Sequence, residues 1–167
     1  MCIRDRQRAL GLYMVADGMG GHVDGERASS LAIQAASRVL LQKFFDPLTL
    51  EPLFPSGKSV EALLNQAMQA AQMAVLEGVP GGGSTLTLVL VLERQLYFAH
   101  VGDTRLYLYA QSGGLKVLTR DHSVARRLVD LGQLNAAEAQ VNPLRNSLFR
   151  ALGQGEGFSA DLGPVTI

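Results

Sequence analysis

Tryptophan is absent from this chain, and cysteine occurs once, at Cys2. A single thiol excludes an internal disulfide framework and a cysteine-built metal cluster. Neither sign of charge prevails, since Lys plus Arg and Asp plus Glu each number 15. No basic run interleaved with aromatics is present, which argues against nucleic acid or another polyanion as a partner. Long apolar runs are missing too. The longest, LTLVLVL at 86–92, falls far short of the about 20 residues needed to cross a bilayer. The N-terminus lacks the charged-then-apolar pattern of a secretory signal. Together these absences lead to the expectation of a soluble, cytoplasmic monomer with no membrane partner. With 47% apolar residues in 167, there is enough material for one core, and for one domain or part of a larger one.

Both ends depart from the pattern between them. MCIRDR at 1–6 can be written in codons that resemble the tail of a transposase adapter used in sequencing libraries. Met1 to Arg6 are therefore expected to be a non-native scar, leaving residues 7–167 as a partial domain. FSADLGPVTI at 158–167 reads as a strand being entered.

Between the ends, the hydrophobic period changes twice. LGLYMVA at 10–16 reads as a short buried strand, followed by a Gly-rich loop from Asp17 to Gly25. Asp24 is expected to cap a helix that runs to about Phe45, with Ala28, Leu31, Ala32, Ala35, Val39 and Leu40 on one face. DPLTLEPLFPSG, with three prolines, is a loop. A second helix is predicted from Ser59 to Glu77, stopped by Gly78. The period then shortens to two. STLTLVLVLE, QLYFAHVG, TRLYLYA and LKVLT read as four successive strands of an antiparallel meander. A helix with Ser123 as N-cap and a short polar helix near 135–140 follow. Helices segregated from strands argue for an α+β fold.

Chemistry concentrates in VADGMGGHVDGERAS at 15–29. An aspartate at a strand end is held rigidly by its scaffold, and the glycines after it let the backbone approach a ligand closely. Hard cations such as Mg²⁺ and Mn²⁺ prefer carboxylates, carbonyls and water. The Asp17 carboxylate and the Gly18 carbonyl would supply two oxygen ligands. A plain Asp-Gly turn before a helix accounts for part of the same pattern.

This stretch resembles the signature of the metal-dependent serine/threonine phosphatases, the PPM or protein phosphatase 2C-like family, in its bacterial form. Four further segments resemble family motifs in the family's order: GGSTLTLVLV, HVGDTRLYLY, LTRDHSVARRLVDLGQL and NPLRNSLFRALGQ. The resemblance implies an antiparallel β-sandwich flanked by helices in α-β-β-α layers, here incomplete. It implies hydrolysis of phosphoserine and phosphothreonine by a metal-activated water at a dinuclear Mg²⁺ or Mn²⁺ site. Asp17 would be the catalytic aspartate that bridges the two ions, Gly18 would bind one through its carbonyl, and Asp121 would hold a third, weaker ion. The implied partners are phosphorylated proteins, a cognate serine/threonine kinase and its targets.

Two departures stand out. Eukaryotic relatives often place a histidine directly after the Asp-Gly, where this chain has Met19, which cannot donate a proton; His22 lies three residues on. The family's upstream Arg and Glu-Asp pair and its downstream Asp-Gly and Asp-Asn aspartates have no counterpart here, so the chain is expected to hold about half a dinuclear site and to turn over little by itself. The alternative is a catalytically dead phosphatase-like module that binds or regulates. Other polar residues read as structural. Asp103 and Arg105 suggest a buried ion pair fixing a hairpin, and His100 a satisfied core histidine. His122 is either a support that orients Asp121 or a surface residue, and Arg126 and Arg127 belong to a solvated helix face.

Overall fold

The computed structural model describes residues 10–20, 22–44, 57–92, 94–110, 113–155 and 158–167. The expected scar at 1–6, residues 45–56 with the prolines of the expected loop, and the Gln111–Ser112 half of the expected turn lie outside the described residues.

Four strands build the main sheet. They are β1 (Leu10–Val15), β4 (Leu86–Leu92), β5 (Gln95–Val101) and β8 (Asp161–Thr166), in spatial order β1-β4-β5-β8 and antiparallel throughout. A second pairing joins β2 (Gly18–Met19) to β3 (Gly83–Ser84). The chain also carries a ribbon of β6 (Tyr107–Ala110) and β7 (Gly114–Val117).

Alternation along the strands sorts their side chains onto two faces. Leu86, Leu88, Leu90 and Leu92 of β4 and Ala99 and Val101 of β5 face a layer of two helices. These are α1 (His22–Phe44) and α2 (Gly57–Gly78). Helix α1 presents Ala28, Ala32, Ala36 and Leu40 at a spacing of four, all fully buried. Small residues let α2 approach closely, and it fills the space with Val60, Leu64, Met68 and Val75. The opposite face holds a smaller cluster of Val89, Leu96 and Phe98, against which Leu106 and Leu118 at the base of the ribbon pack. The fold is α+β, as expected, with helices on one face of the sheet and the ribbon on the other.

The meander divides where one sheet was expected to continue. After β5 the chain leaves the sheet at Gly102, whose φ is +105°. A Cβ there would lie 2.5–2.6 Å from Thr85 side-chain atoms. The position therefore demands glycine and bends the chain away. β6 and β7 pair only with each other among the described residues, and β8 takes the place beside β5.

Helix ends also refine the expectation. Helix α1 begins at His22, so Asp24 lies in its first turn and not at its cap. The carboxylate still meets the positive end of the helix dipole. Helix α3 (Val124–Asp130) is capped by Ser123, whose side chain accepts from the Arg126 amide. Helix α4 (Ala136–Val141) starts on a reciprocal capping box of Asn135 and Glu138, with bonds of 2.7 and 2.9 Å.

Candidate metal centre

Asp17 sits between β1 and β2 with its side chain exposed. Its backbone is clamped on both sides. The Asp17 amide donates to Thr85 Oγ1 at 2.9 Å, and its carbonyl accepts from the Thr85 amide at 2.8 Å and from Ser84 Oγ at 3.2 Å. Ser84 is held in turn by Leu152, through paired backbone bonds of 3.1 and 2.8 Å. The carboxylate thus projects from a backbone that three chain segments fix.

Gly18 has a steric reason that the sequence alone does not show. A Cβ on Gly18 would fall 1.7 Å from the carbonyl oxygen of Gly25, and one on Gly25 would fall 2.8 Å from the carbonyl oxygen of Gly18. The two glycines let the first turn of α1 rest on β2, backbone against backbone. Met19 lays its terminal methyl against Gly83.

The Asp121 loop is tied to the same hub. The His122 amide donates to the Gly102 carbonyl at 2.7 Å, and the Gly102 amide donates to His122 Nδ1 at 3.1 Å. Gly102 in turn packs on Thr85, the residue that clamps Asp17. One linkage, from Asp17 through Thr85 and Gly102 to His122, therefore sets the two expected metal-binding segments relative to each other. Asp103 follows Gly102 directly. Burial raises its carboxyl pKa, and the negative charges of Asp121 and Asp17 raise it further. Two further carboxylates thus act on Asp103.

An all-oxygen donor set suits a hard divalent cation. Among the described residues, however, no three His, Cys, Asp or Glu side chains close around a single point. Asp17 is exposed and both Asp121 oxygens are taken by Arg105, so the expected ligands form no closed shell among the described residues.

Asp121 itself is held by Arg105. Nε donates to Oδ1 at 2.8 Å and Nη2 donates to Oδ2 at 2.6 Å. Arg105 thus pairs across the ribbon with Asp121, and not with Asp103 two residues before it as expected. Its bond to Asp121, and then one to the Tyr107 hydroxyl, raise the guanidinium pKa.

His100 and His122 are structural. His100 is fully buried and doubly bonded. Thr87 Oγ1 lies 2.8 Å from Nδ1 and the Arg120 carbonyl 3.1 Å from Nε2. That carbonyl can only accept, so Nε2 carries the proton. His122 is buried beside it, with ring centroids 5.1 Å apart. It does not orient Asp121. Since Nδ1 accepts from Gly102, Nε2 donates to Asp161 Oδ2 at 3.1 Å. Arg150 Nη1 donates to the other Asp161 oxygen at 2.9 Å. Burial lowers the pKa of both rings, for His122 against the opposing pull of Asp161. Arg126 and Arg127 are exposed, the first paired with Asp130 at 3.2 Å and the second over the Phe149 ring at 5.3 Å.

Sequence reasoning missed Thr85, Asp161 and the Arg105 pairing. Threonine in a strand carries no signal of its own, and both ion pairs join segments far apart in the chain.

Residues 5–159 match the family Protein phosphatase 2C. The protein phosphatase PhpP of Streptococcus pneumoniae is 30% identical over 157 residues, which is 93% of this chain and 61% of PhpP. The crystal structure of the Mycobacterium tuberculosis serine/threonine phosphatase PstP/Ppp superposes with a TM-score of 0.77 at 32% identity, over 93% of this chain and 63% of the other. A structure of the PstP catalytic domain in complex with two manganese ions superposes with a TM-score of 0.73 at 31% identity, over 93% of this chain and 61% of the other. The chain thus spans a little over three fifths of each of these proteins. No helix among the described residues is long and apolar enough to cross a membrane. Motifs, fold and relatives agree, and this chain belongs to the protein phosphatase 2C family.

Proposed function

We propose that this chain is the larger part of a catalytic domain that hydrolyses phosphoserine and phosphothreonine in proteins. Asp17, with the Gly18 carbonyl, would hold the Mg²⁺ or Mn²⁺ pair, and Asp121 a third ion. When bound, the ions supply positive charge for the phosphoryl oxygens and activate water. The remaining carboxylates and the phosphate-binding arginine would come from sequence beyond this chain. The whole protein would act in the cytoplasm, as a monomer, on the targets of a serine/threonine kinase.

One observation carries this reading: the Thr85–Gly102 hub anchors the Asp17 and Asp121 segments together, with Asp103 beside them and acted on by both carboxylates. A binding module has no use for carboxylates anchored in this way; a cation site does. This chain's own residues do the positioning. Thr85 fixes the Asp17 backbone, and His122, bonded to Gly102 and Asp161, fixes the loop that carries Asp121. The absence of a proton donor at Met19 leaves leaving-group protonation to another group or to water.

The test is hydrolysis of a phosphothreonine peptide by the full-length protein with and without Mn²⁺. Activity should require the metal and vanish in Asp17→Ala. Turnover that survives either change defeats the mechanism, and no turnover by the full-length protein favours the catalytically dead module.

A further inference from the structure

The charge balance of the whole chain, 15 of each sign, hides a local imbalance. Two neighbouring clefts of about 610 and 520 Å³ meet at Arg120, Asp121 and Asp130. Arg105 and Arg126 also line the first, and Arg127 and Arg150 the second. Against these arginines the walls carry only one further acid, Asp161. The excess is gathered from separate stretches of chain, so no basic run marks it in the sequence. We propose that the two clefts form a docking groove for an acidic segment of a partner protein, one in which carboxylates are interspersed with apolar side chains. The groove needs no metal, and its use is independent of any ligand role for Asp17 or Asp121.

Three features favour such a partner. First, the acceptors already in the groove are spent. Arg105 donates to both Asp121 oxygens at 2.8 and 2.6 Å. Asp130 takes Arg120 on one oxygen at 2.9 Å and Arg126 on the other at 3.2 Å. Asp161 takes His122 at 3.1 Å and Arg150 at 2.9 Å. Each guanidinium carries five N–H donors, so donors remain after every carboxylate oxygen is matched. Second, Arg127 pairs with no carboxylate among the described residues. Its charge is offset by nothing but the Phe149 ring, 5.3 Å away. Third, apolar surface lies between the cations. Phe149 is 38% exposed and also has the Arg150 guanidinium 5.8 Å from its centre. Leu131, 62% exposed, lines the same cleft, and Val117, 49% exposed, lines the other.

These features also separate the acidic segment from other anions. A small inorganic anion would engage the arginines and leave Phe149, Leu131 and Val117 wet. A nucleic-acid backbone, with a charge at every step, would meet the three aspartates as well as the arginines. A peptide places its carboxylates singly and brings apolar side chains between them. Exposed ion pairs are individually weak and screened by salt, so the apolar contacts are needed for a complex of useful affinity.

The experiment is a fluorescence-anisotropy titration of this chain with a labelled ten-residue peptide of interspersed glutamates and leucines. Replacing its glutamates by glutamine, or raising NaCl from about 50 to about 500 mM, should weaken binding about tenfold. Replacing its leucines by serine should weaken it at least about threefold. Arg127→Glu, a change on an exposed helix surface that breaks no ion pair, should cost about tenfold for the glutamate peptide and nothing for the glutamine one. Arg38→Glu, on the exposed face of α1, should change neither. In wild type, where no variant has to fold, the Arg127 and Arg150 Nε–H resonances should shift as the peptide is added. Equal binding of the glutamate and glutamine peptides overturns the proposal, as does an Arg127→Glu protein that binds like wild type. A serine peptide that binds as well as the leucine one, or displacement by equimolar inorganic phosphate or duplex DNA, reduces the groove to a plain cationic patch and overturns it too. Binding by this chain but not by a longer form that continues past Ile167 would give the groove to the protein's own continuation, against a partner.

Discussion

Gly18→Ala tests the tightest backbone approach in the structure. The added methyl would stand 1.7 Å from the Gly25 carbonyl oxygen, 2.3 Å from its carbonyl carbon and 2.8 Å from its Cα. Real contacts of a Cβ essentially never fall under 3.0 Å, so a gap of more than an ångström must open, and every atom in the way is backbone. No side chain can rotate aside. Either the first turn of α1 lifts from β2 or β2 leaves its pairing with Gly83–Ser84. Overpacking of this kind costs about 3 kcal/mol, the upper end of its usual range. At about 2–4 °C per kcal/mol for a domain of this size, the melting midpoint should fall by about 6–12 °C. Urea denaturation with a far-ultraviolet readout measures the first quantity and a thermal scan the second. Gly81→Ala is the control, because Gly81 has a φ of +82° but nothing within 4 Å of a Cβ; backbone strain alone should cost about 1 kcal/mol there. Gly18→Ala combined with Gly25→Ala should cost less than the sum of the two, since one displacement relieves both clashes. A Gly18→Ala protein within 1 kcal/mol of wild type would refute the claim that this glycine is fixed by packing.

Two further outcomes follow from the same contacts. Thr85→Val keeps the shape but leaves the Asp17 amide without its 2.9 Å acceptor; it should cost about 1–2 kcal/mol and speed hydrogen exchange at the Asp17 amide, and an unchanged exchange rate would exclude Thr85 as the clamp. Burial depresses the folded-state pKa of His100 and His122 below 6.5, so both contribute stability that is full above about pH 6.5 and lost as pH falls from there toward their folded values. The urea midpoint should drop between pH 7.5 and 5.5, and a flat profile would contradict neutral buried rings; the raised Asp103 carboxyl works in the opposite sense, from 3.8 upward.

Most of the helical layer could be read from the chain, because alanines at a spacing of four leave a strong periodic trace. The Asp17 and Asp121 segments could be read as well, since each carries a compact motif. What escaped sequence reasoning depends on contacts between distant segments. The split of the meander depends on a Thr85 methyl meeting Gly102, and the pairing of β8 with β5 joins residues more than sixty positions apart. Local apolar patterning is the same whether a strand pairs with its successor or with a later one. The charge network misled for a similar reason. Asp103 is the nearest acid to Arg105 in sequence, yet the twist of the ribbon delivers Asp121 instead. Gly18 was noticed, but its demand comes from Gly25 on the facing helix, which no reading of the turn alone reveals.

The hub at Thr85 has a consequence for how the molecule comes apart. Asp17 hangs from the β3–β4 junction, and the Asp121 loop hangs from Gly102 at the end of β5. Those strands are the two central members of the four-stranded sheet. The cost in conformational entropy of bringing the Asp17 and Asp121 segments together is therefore met when the sheet forms. A ligand that docks there meets a prearranged frame, and denaturant cannot dissolve the frame first while the sheet persists. For the cation site proposed above, loss of affinity and loss of the sheet would trace one curve. Cations bound at such a place act back on the whole domain, raising its global unfolding free energy instead of merely quieting a loop.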